Sequence, residues 1–310
     1  MIGSHLIDEI LLYNTDATIM ILDDFSVGQR KNIPSCNNVE LIDGSVLDKD
    51  FVDVLVSRVD IVYHLATKKK GNDIDSSLET LDTIVDSARN ILESCLKHSV
   101  RIVLASTSDV YGYGTNFPFN ETDPVALGPF NTRRWAYAVG KLYTEQVAYE
   151  FYRSGVDVRL IRFFGGFSER SSMTWRGGHI PMFVYNAFHN KDIVIHGDGS
   201  QTRCVTHGSD LAKGTLLVGL KEGISGELFN IGSEQEISVK DAAERVLRNF
   251  PDSHSKLTFV ETEQIFGTYQ EITRRRPCLA KSKQILGYSP AIDFDEGISI
   301  LINKLEGIND

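Results

Sequence analysis

Short apolar runs that alternate with helical stretches are the feature that most limits what this chain can fold into. The runs are Thr18–Leu22, Ile61–Leu65, Ile102–Ala105 and Asp157–Phe163. Runs of this length, rich in β-branched residues, are typical of strands that are buried on both faces of a parallel sheet. The stretches between them, such as Leu78–His98 and Tyr137–Arg153, favour helices. This alternation predicts an α/β fold with a doubly wound parallel sheet.

The pattern changes after about residue 165, where the predicted elements become shorter and less regular. These elements are strands at Ile193–His196, Glu227–Ile231 and Leu257–Val260 and helices at Val239–Asn249 and Ala280–Leu286. We therefore predict two parts, a dinucleotide-binding domain over residues 1–165 and a smaller substrate-binding region over residues 166–310.

Charge, hydropathy and cysteine spacing argue against several classes of protein. The 310 residues carry a formal net charge of −10, whereas a protein that binds nucleic acid needs a basic surface. No apolar run approaches the roughly 20 residues that cross a bilayer, and the N-terminus lacks the features of a signal peptide. The four cysteines are far apart in sequence, which indicates reduced thiols. The histidines form no metal-binding pattern. We expect a cytoplasmic protein with no bound metal and with neither a nucleic-acid nor a membrane partner.

The first predicted strand ends in two acidic residues at a position that suits a nucleotide cofactor. Gly3 stands near the start of a predicted helix, and Asp23 and Asp24 follow about twenty residues later. A dinucleotide-binding fold places at this spacing the acid that accepts the ribose hydroxyls of NAD. Such a carboxylate would also repel the 2′-phosphate of NADP. Aspartate after a strand is a common turn residue as well, so the assignment depends on the other motifs.

A tyrosine and a lysine four residues apart, downstream of a strand that ends in hydroxyl groups, indicate catalysis. Ala105–Gly112 places Thr107 at the carboxyl end of its strand, and Tyr137 and Lys141 share one face of a helix. A nearby ammonium favours tyrosinate and lowers the pKa of the tyrosine. The phenol can then act as a general base on a sugar hydroxyl, to which Thr107 can also hydrogen-bond. The Y-x-x-x-K pattern alone also occurs on solvated helix faces, but here it joins the other two features.

These motifs together resemble the extended short-chain dehydrogenase/reductase family of nucleotide-sugar epimerases, dehydratases and decarboxylases. The similarity covers essentially the whole chain. Further matching blocks are His64–Ala66, Arg134–Lys141, Gly197–Arg203, Phe229–Gly232, Arg275–Pro277 and Leu286–Pro290. Met1–Leu6 matches the end of the family's glycine-rich opening, with Gly3 as the third glycine, so the first strand and the first two glycines are absent.

The resemblance implies a Rossmann-type fold, NAD as the cofactor and a nucleotide-sugar as the substrate. It also implies a homodimer, because the helices Leu78–His98 and Tyr137–Arg153 resemble the pair that forms the family's four-helix interface. The residues implied at the cofactor are Gly3, Asp23, Asp24, Ser45, Val46, Leu65, Ala66, Thr67, Tyr137 and Lys141. Those implied at the substrate are Thr107, Ser108, Asp109, Gly165, Arg203 and Arg275, of which the two arginines would clamp the diphosphate. Ser45 and Gly165 depart from the family, which usually has Asp and Asn there.

The resemblance implies a shared first step, in which Tyr137 takes a proton from the sugar C4 hydroxyl while hydride passes to NAD. The family's 4,6-dehydratases have an aspartate where this chain has Ser108, and its decarboxylases have a glutamate where this chain has Asp109. We therefore favour a 4-epimerase of UDP- or dTDP-hexoses that works through a 4-keto intermediate. A UDP-glucuronate decarboxylase, a dehydratase and a catalytically inactive nucleotide-sugar-binding homologue remain alternatives.

Overall fold

Helices and strands alternate along the first half of the chain, and the computed structural model shows the α/β class that the sequence predicts. The structure describes residues 1–67, 77–129, 131–132, 135–174, 177–261 and 272–307. The α-helices are α1 (Ile2–Tyr13), α2 (Lys49–Val56), α3 (Ser77–His98), α4 (Trp135–Arg153), α5 (His179–Phe188), α6 (Gly208–Leu220), α7 (Val239–Arg248) and α8 (Phe294–Glu306). The strands are β1 (Ile19–Asp23), β2 (Val39–Asp43), β3 (Ile61–His64), β4 (Arg101–Thr107), β5 (Val158–Phe163), β6 (Gly166–Phe167), β7 (Ile193–His196), β8 (Thr202–Cys204), β9 (Thr206–His207), β10 (Leu228–Ile231), β11 (Glu236–Ser238) and β12 (Leu257–Val260).

Four parallel strands in the order β10-β5-β4-β3 form the main sheet. The central strand β4 is apolar on both faces, and its residues Ile102, Val103 and Leu104 are buried, as expected where helices cover both sides of a parallel sheet. Strand β10 comes from the second half of the chain, so residues on both sides of position 165 build this sheet. The division into two parts at that position stays a prediction.

Strands β1 and β2 form a separate parallel pair, in register from Ile19 opposite Val39 to Asp23 opposite Asp43. Within the described ranges, β1 is hydrogen-bonded neither to β3 nor to any strand that pairs with β3. A cavity of about 1270 Å³ lies between them and is lined by residues of both strands and of α1. Helix α1 is held from the other side, where Leu6 packs against Ala212 and Leu216 of α6. In the described residues, the β1–β2 pair and the four-stranded sheet therefore both contribute to the lining of one cavity.

The remaining elements form a second apolar core with short strand pairs around it. Helix α7 shows how the sequence specifies this packing: Ser238 caps it by accepting a hydrogen bond from the Asp241 amide at 3.0 Å, and the residues at helical spacing on one face, Val239, Ala242, Ala243 and Val246, are buried. They pack against α5, α8 and strand β7. The strand pairs are β7 with β12, β8 with β11, and β6 with β9.

Several element boundaries differ from the sequence-based predictions. Strand β1 runs from Ile19 to Asp23, so the acidic residue is the last residue of the strand and not the first residue after it. Strand β2 was not predicted, because Val39–Asp43 mixes polar and apolar residues and only partly buries them. The predicted helix Ala280–Leu286 is mostly a π-helical turn over Ser282–Leu286, which ends at Gly287 with a left-handed φ of 66°. Among the described helices, none combines the length and the apolarity needed to cross a bilayer.

Candidate active site

The carboxyl end of β4 presents a row of hydroxyl groups that the next turn holds in place. Strand β4 ends at Thr107 and continues directly into a 3₁₀ turn, Ser108–Tyr111. The Thr107 hydroxyl accepts a hydrogen bond from the Asp109 amide at 3.2 Å and donates one to the Asp109 carboxylate at 3.3 Å. Ser106, Thr107 and Ser108 are all buried. The turn therefore fixes both the hydroxyl of Thr107 and the carboxylate that follows it.

Helix α4 brings Tyr137 and Lys141 to the same end of β4. The Lys141 ammonium is buried and donates a hydrogen bond to the Ala105 carbonyl at 2.8 Å. Burial lowers the pKa of Lys141 to about 8, although the Glu145 carboxylate acts in the opposite direction. Thr67, in the segment that follows β3, hydrogen-bonds the Tyr137 side chain. The predicted catalytic set, Thr107, Tyr137 and Lys141, lines one cavity.

The electrostatics of Tyr137 differ from the sequence-based expectation. Burial and the nearby Asp109 carboxylate raise the pKa of Tyr137, and the hydrogen bond from Thr67 opposes this rise. The expected lowering by Lys141 is not seen, since the Lys141 ammonium is directed to the Ala105 carbonyl. A negative charge close to a phenol disfavours tyrosinate. Asp109 is therefore a group that controls how readily Tyr137 can accept a proton.

Arg275 reaches this cluster from a segment more than 130 residues beyond Tyr137 in sequence. Its guanidinium donates a hydrogen bond to the Asp109 carboxylate at 2.6 Å, and the two side chains are only 12% and 18% exposed. A short, charge-assisted contact of this kind orients both partners. Asp109, Arg275, Thr107 and Tyr137 thus meet at one place, although the sequence assigned Arg275 to the diphosphate. The role of Arg275 at the diphosphate stays a prediction.

The predicted cofactor residues lie mostly along the cavity between the β1–β2 pair and the four-stranded sheet. Those that line it are Gly3, Asp23, Val46, Leu65, Ala66, Thr67, Tyr137 and Lys141. Asp23 stands at the end of β1, where its carboxylate accepts a hydrogen bond from the Phe25 amide at 2.8 Å. A Cβ at Gly28 would lie 2.9 Å from both carboxylate oxygens, so glycine leaves room for the acid. A cavity whose lining includes both a carboxylate and a tyrosine–lysine pair fits a dinucleotide.

The other predicted cofactor residues lie beside this cavity. Asp24 accepts hydrogen bonds from the amide and the hydroxyl of Ser26 at 3.0 and 2.6 Å. The Ser45 hydroxyl accepts one from the Leu47 amide at 3.2 Å. Both side chains therefore organise their own loops, and their contact with a cofactor stays a prediction.

The structure explains one departure from the family pattern. A Cβ at Gly165 would lie 2.6 Å from the carbonyl oxygen of Cys204, so a side chain there would require the backbone to move.

Arg203 lies on the neighbouring strand β8 and donates a hydrogen bond to the Thr202 carbonyl at 2.8 Å. Burial and the Arg203 charge lower the pKa of His179 to about 4. The substrate roles predicted for Gly165, Arg203 and the buried Ser108 stay predictions.

A buried ion pair behind the catalytic residues was missed by sequence reasoning. Glu145 accepts hydrogen bonds from Arg162 at 2.9 and 2.7 Å and also from the Ser106 hydroxyl. The signals were an acid four residues after Lys141 and an arginine inside an apolar strand. Neither residue identifies the other as its partner from the sequence, because the packing of α4 against β5 brings the two side chains together. Among the residues that the structure describes, no group of three or more potential ligand side chains could hold a metal ion.

The model of the NAD dependent epimerase/dehydratase family matches residues 1–232. The chain belongs to this family. It is therefore an NAD-dependent enzyme, as the sequence motifs predicted. It is 34% identical to the UDP-N-acetyl-alpha-D-glucosaminuronate decarboxylase of Bacillus cytotoxicus, over 96% of this chain and 92% of that protein. It is 30% identical to the UDP-glucuronic acid decarboxylase 1 of Danio rerio, over 96% of this chain and 68% of that protein. Among solved structures, it is similar to the epimerase Mth375 of Methanothermobacter thermautotrophicus, with a TM-score of 0.88, 27% identity and coverage of 99% of this chain and 89% of that chain.

Proposed function

We propose that this chain is an NAD-dependent decarboxylase that acts on a UDP-linked uronic acid. The observation that carries the proposal is the contact between Asp109 and Arg275 beside Thr107 and Tyr137. A uronic acid differs from a hexose by a carboxylate at C6, two bonds from the C4 that is oxidised. A guanidinium at this position offers a partner for that carboxylate, whereas a neutral hexose needs none.

The chemistry of the chain's own residues is consistent with this reaction. When bound, NAD accepts the hydride from the sugar C4 and returns it at the end. Tyr137 takes the proton of the C4 hydroxyl, to which the Thr107 hydroxyl also hydrogen-bonds, and the C4 ketone that forms is β to the carboxylate. A β-keto acid loses CO₂ when the electrons of the C5–C6 bond pass into the C4 carbonyl. A proton from solvent then adds at C5, and the returned hydride at C4, with the proton from Tyr137 on the C4 oxygen, completes the product.

The relatives support the same choice over the 4-epimerase that the sequence favoured. The two curated relatives named above are both called decarboxylases of UDP-linked uronic acids. Asp109 is one methylene shorter than the glutamate of the family's decarboxylases, but its contact with Arg275 shows that the shorter acid still reaches the cation. The 4-epimerase remains the second candidate, because the structurally similar Mth375 is called an epimerase.

We further propose that the enzyme is a cytoplasmic homodimer joined through α3 and α4. These helices pack against each other and leave large side chains exposed. These are Leu78 and Leu96 on α3 and Val139, Tyr143, Tyr149 and Tyr152 on α4. A second copy that covers them would remove this apolar surface from water. The free cysteines suit a reducing compartment.

Product mass tests the reaction. The purified chain and its Tyr137→Phe variant are incubated with NAD and each of UDP-glucuronate, UDP-N-acetylglucosaminuronate, UDP-glucose and dTDP-glucose, and the products are followed by liquid chromatography and mass spectrometry. We expect a loss of CO₂ from one of the uronates that depends on Tyr137. A new peak of unchanged mass identifies an epimerase, and a loss of water identifies a dehydratase. No Tyr137-dependent change on any substrate favours the inactive homologue.

A further inference from the structure

Glu145 and Arg162 form a buried ion pair next to the catalytic residues, and several hydrogen bonds hold it in place. Glu145 and Arg162 are each only about 5% exposed, and two hydrogen bonds join them, from Nε at 2.9 Å and from Nη2 at 2.7 Å. The Ser106 hydroxyl donates a further hydrogen bond to the same carboxylate. Arg162 is itself held, since its guanidinium lies 4.6 Å from the centre of the Tyr111 ring. Removing two charges from water is costly, so a role beyond packing is expected.

The carboxylate of this pair is also the neighbour of the catalytic lysine. Lys141 and Glu145 are four residues apart, on one face of α4. Their side chains reach consecutive residues of β4: the Lys141 ammonium reaches the Ala105 carbonyl, and Glu145 reaches the Ser106 hydroxyl. The Glu145 carboxylate is therefore ion-paired with Arg162 and lies one helical turn from the buried Lys141, whose pKa it raises against the effect of burial.

Within the described residues, the other elements packed around Lys141 contribute no second anion that acts on it. His64 on β3 is buried and neutral, because burial and the Lys141 charge lower its pKa to about 3. Helix α3 presents the apolar Leu81 and Ile84 to this side of α4. Tyr137 lies one turn earlier on α4, and the Asp109 charge acts on Tyr137. In the described part of the chain, Glu145 is thus the carboxylate that acts on Lys141.

We propose that Glu145 is a positioning residue that keeps the buried Lys141 protonated, with Arg162 and Ser106 holding its carboxylate in place. A lone ammonium in an apolar site gives up its proton. A neutral Lys141 would remove a positive charge from the cavity that Tyr137 also lines. The link to catalysis rests on the proposed function, but the electrostatic coupling of Glu145 to Lys141 does not.

The coupling is tested without substrate by following the titration of Lys141. The chain is labelled with ¹³C at lysine Cε, and the Lys141 signal is assigned by its loss in Lys141→Arg. In Glu145→Gln, which keeps the size of the side chain but not its charge, we expect the pKa of Lys141 to fall by at least about one unit. In Arg162→Gln we expect the opposite, because the Glu145 charge then acts on Lys141 uncompensated. Glu145→Asp, which keeps the charge, serves as the control, and circular dichroism checks that each variant folds.

An unchanged Lys141 pKa in folded Glu145→Gln, or shifts of the same sign in the Glu145→Gln and Arg162→Gln variants, would overturn the proposal. If Glu145→Gln does not fold, the direction of the shift in Arg162→Gln decides alone. The dependence of kcat/KM on pH then connects the coupling to catalysis: the loss of activity on the alkaline side should move to lower pH in Glu145→Gln. A purely structural role would lower activity equally at all pH values. If no substrate is turned over, the proposed reaction fails while the titration still tests the coupling.

Discussion

Replacing Asp109 by Asn separates the two effects that this carboxylate has in the active site. Asparagine keeps the size of the side chain but removes its charge. The change weakens the contact with Arg275, which joins Asp109 at 2.6 Å with both groups mostly buried. A hydrogen bond between charged groups contributes about 1.5–3 kcal/mol, and about 1.4 kcal/mol corresponds to a factor of ten in rate. We therefore expect kcat/KM for the uronate substrate to fall by about 10- to 150-fold at the pH optimum.

The same substitution changes the pH dependence in a direction that the structure specifies. A general base works in its deprotonated form, so activity is present above the pKa of the base and is lost as the pH falls through it. The Asp109 charge raises the pKa of Tyr137. Removal of this charge lowers that pKa, and the acidic side of the kcat/KM profile should move to lower pH in Asp109→Asn even though the maximum is reduced.

The assay is the rate of CO₂ release or product formation measured from acidic to alkaline pH for the wild type, Asp109→Asn and Asp109→Glu, because the raised pKa of Tyr137 moves the acidic side of the profile toward alkaline pH. Glutamate keeps the charge, so Asp109→Glu should retain the acidic side of the wild-type profile. If the acidic side stays fixed in Asp109→Asn, or moves to higher pH, then Asp109 does not act on Tyr137 as argued. If kcat/KM is unchanged, the contact with Arg275 has no part in turnover.

Three further predictions concern the base, the cofactor and the assembly. Tyr137→Phe should abolish hydride transfer while the nucleotide-sugar still binds by calorimetry; retained turnover would reject Tyr137 as the base. Asp23→Ala should weaken NAD about 10-fold or more, because a carboxylate that accepts ribose hydroxyls contributes roughly 1.5–3 kcal/mol; equal NAD affinity in both proteins would count against this role. Analytical ultracentrifugation should show a dimer that Tyr149→Glu on α4 converts to monomer, whereas a wild-type monomer at all concentrations would refute the interface.

The features that could be predicted depend only on residues close together in the sequence. The spacing of Tyr137 and Lys141 determines which face of a helix they share whatever surrounds that helix. Likewise, the apolar runs of β3, β4 and β5 identify buried strands without knowledge of their partners. The strand before Asp23 follows for the same reason, although the prediction ended it one residue too early. These local rules predicted the fold class, and they selected three residues that line one cavity of the structure, Thr107, Tyr137 and Lys141.

Features that depend on the path of the chain could not be predicted in this way. The contact between Asp109 and Arg275 joins residues 166 positions apart, and only the packing of the segment before the π-helical turn brings them together. The pair of Glu145 and Arg162 depends on α4 crossing β5, and it left only an unexpected charge in each element as a signal. The pKa of Tyr137 was misjudged because the sequence places Lys141 on the same helix face but does not show where the ammonium points.

The separate pairing of β1 with β2 also places Asp23 and the Tyr137–Lys141 pair on different supports. Asp23 belongs to the β1–β2 pair, whereas Tyr137 and Lys141 are anchored to the four-stranded sheet through β4. In the described residues the pair is attached by side-chain packing, such as that of Leu22 against the core that contains Val52, and not by strand hydrogen bonds to β3. A dinucleotide that contacts both Asp23 and Tyr137 would link the β1–β2 pair to the four-stranded sheet. Its binding should therefore slow amide hydrogen exchange in β1 and β2, far from the reacting carbon, because opening of that pair would require the cofactor to be released.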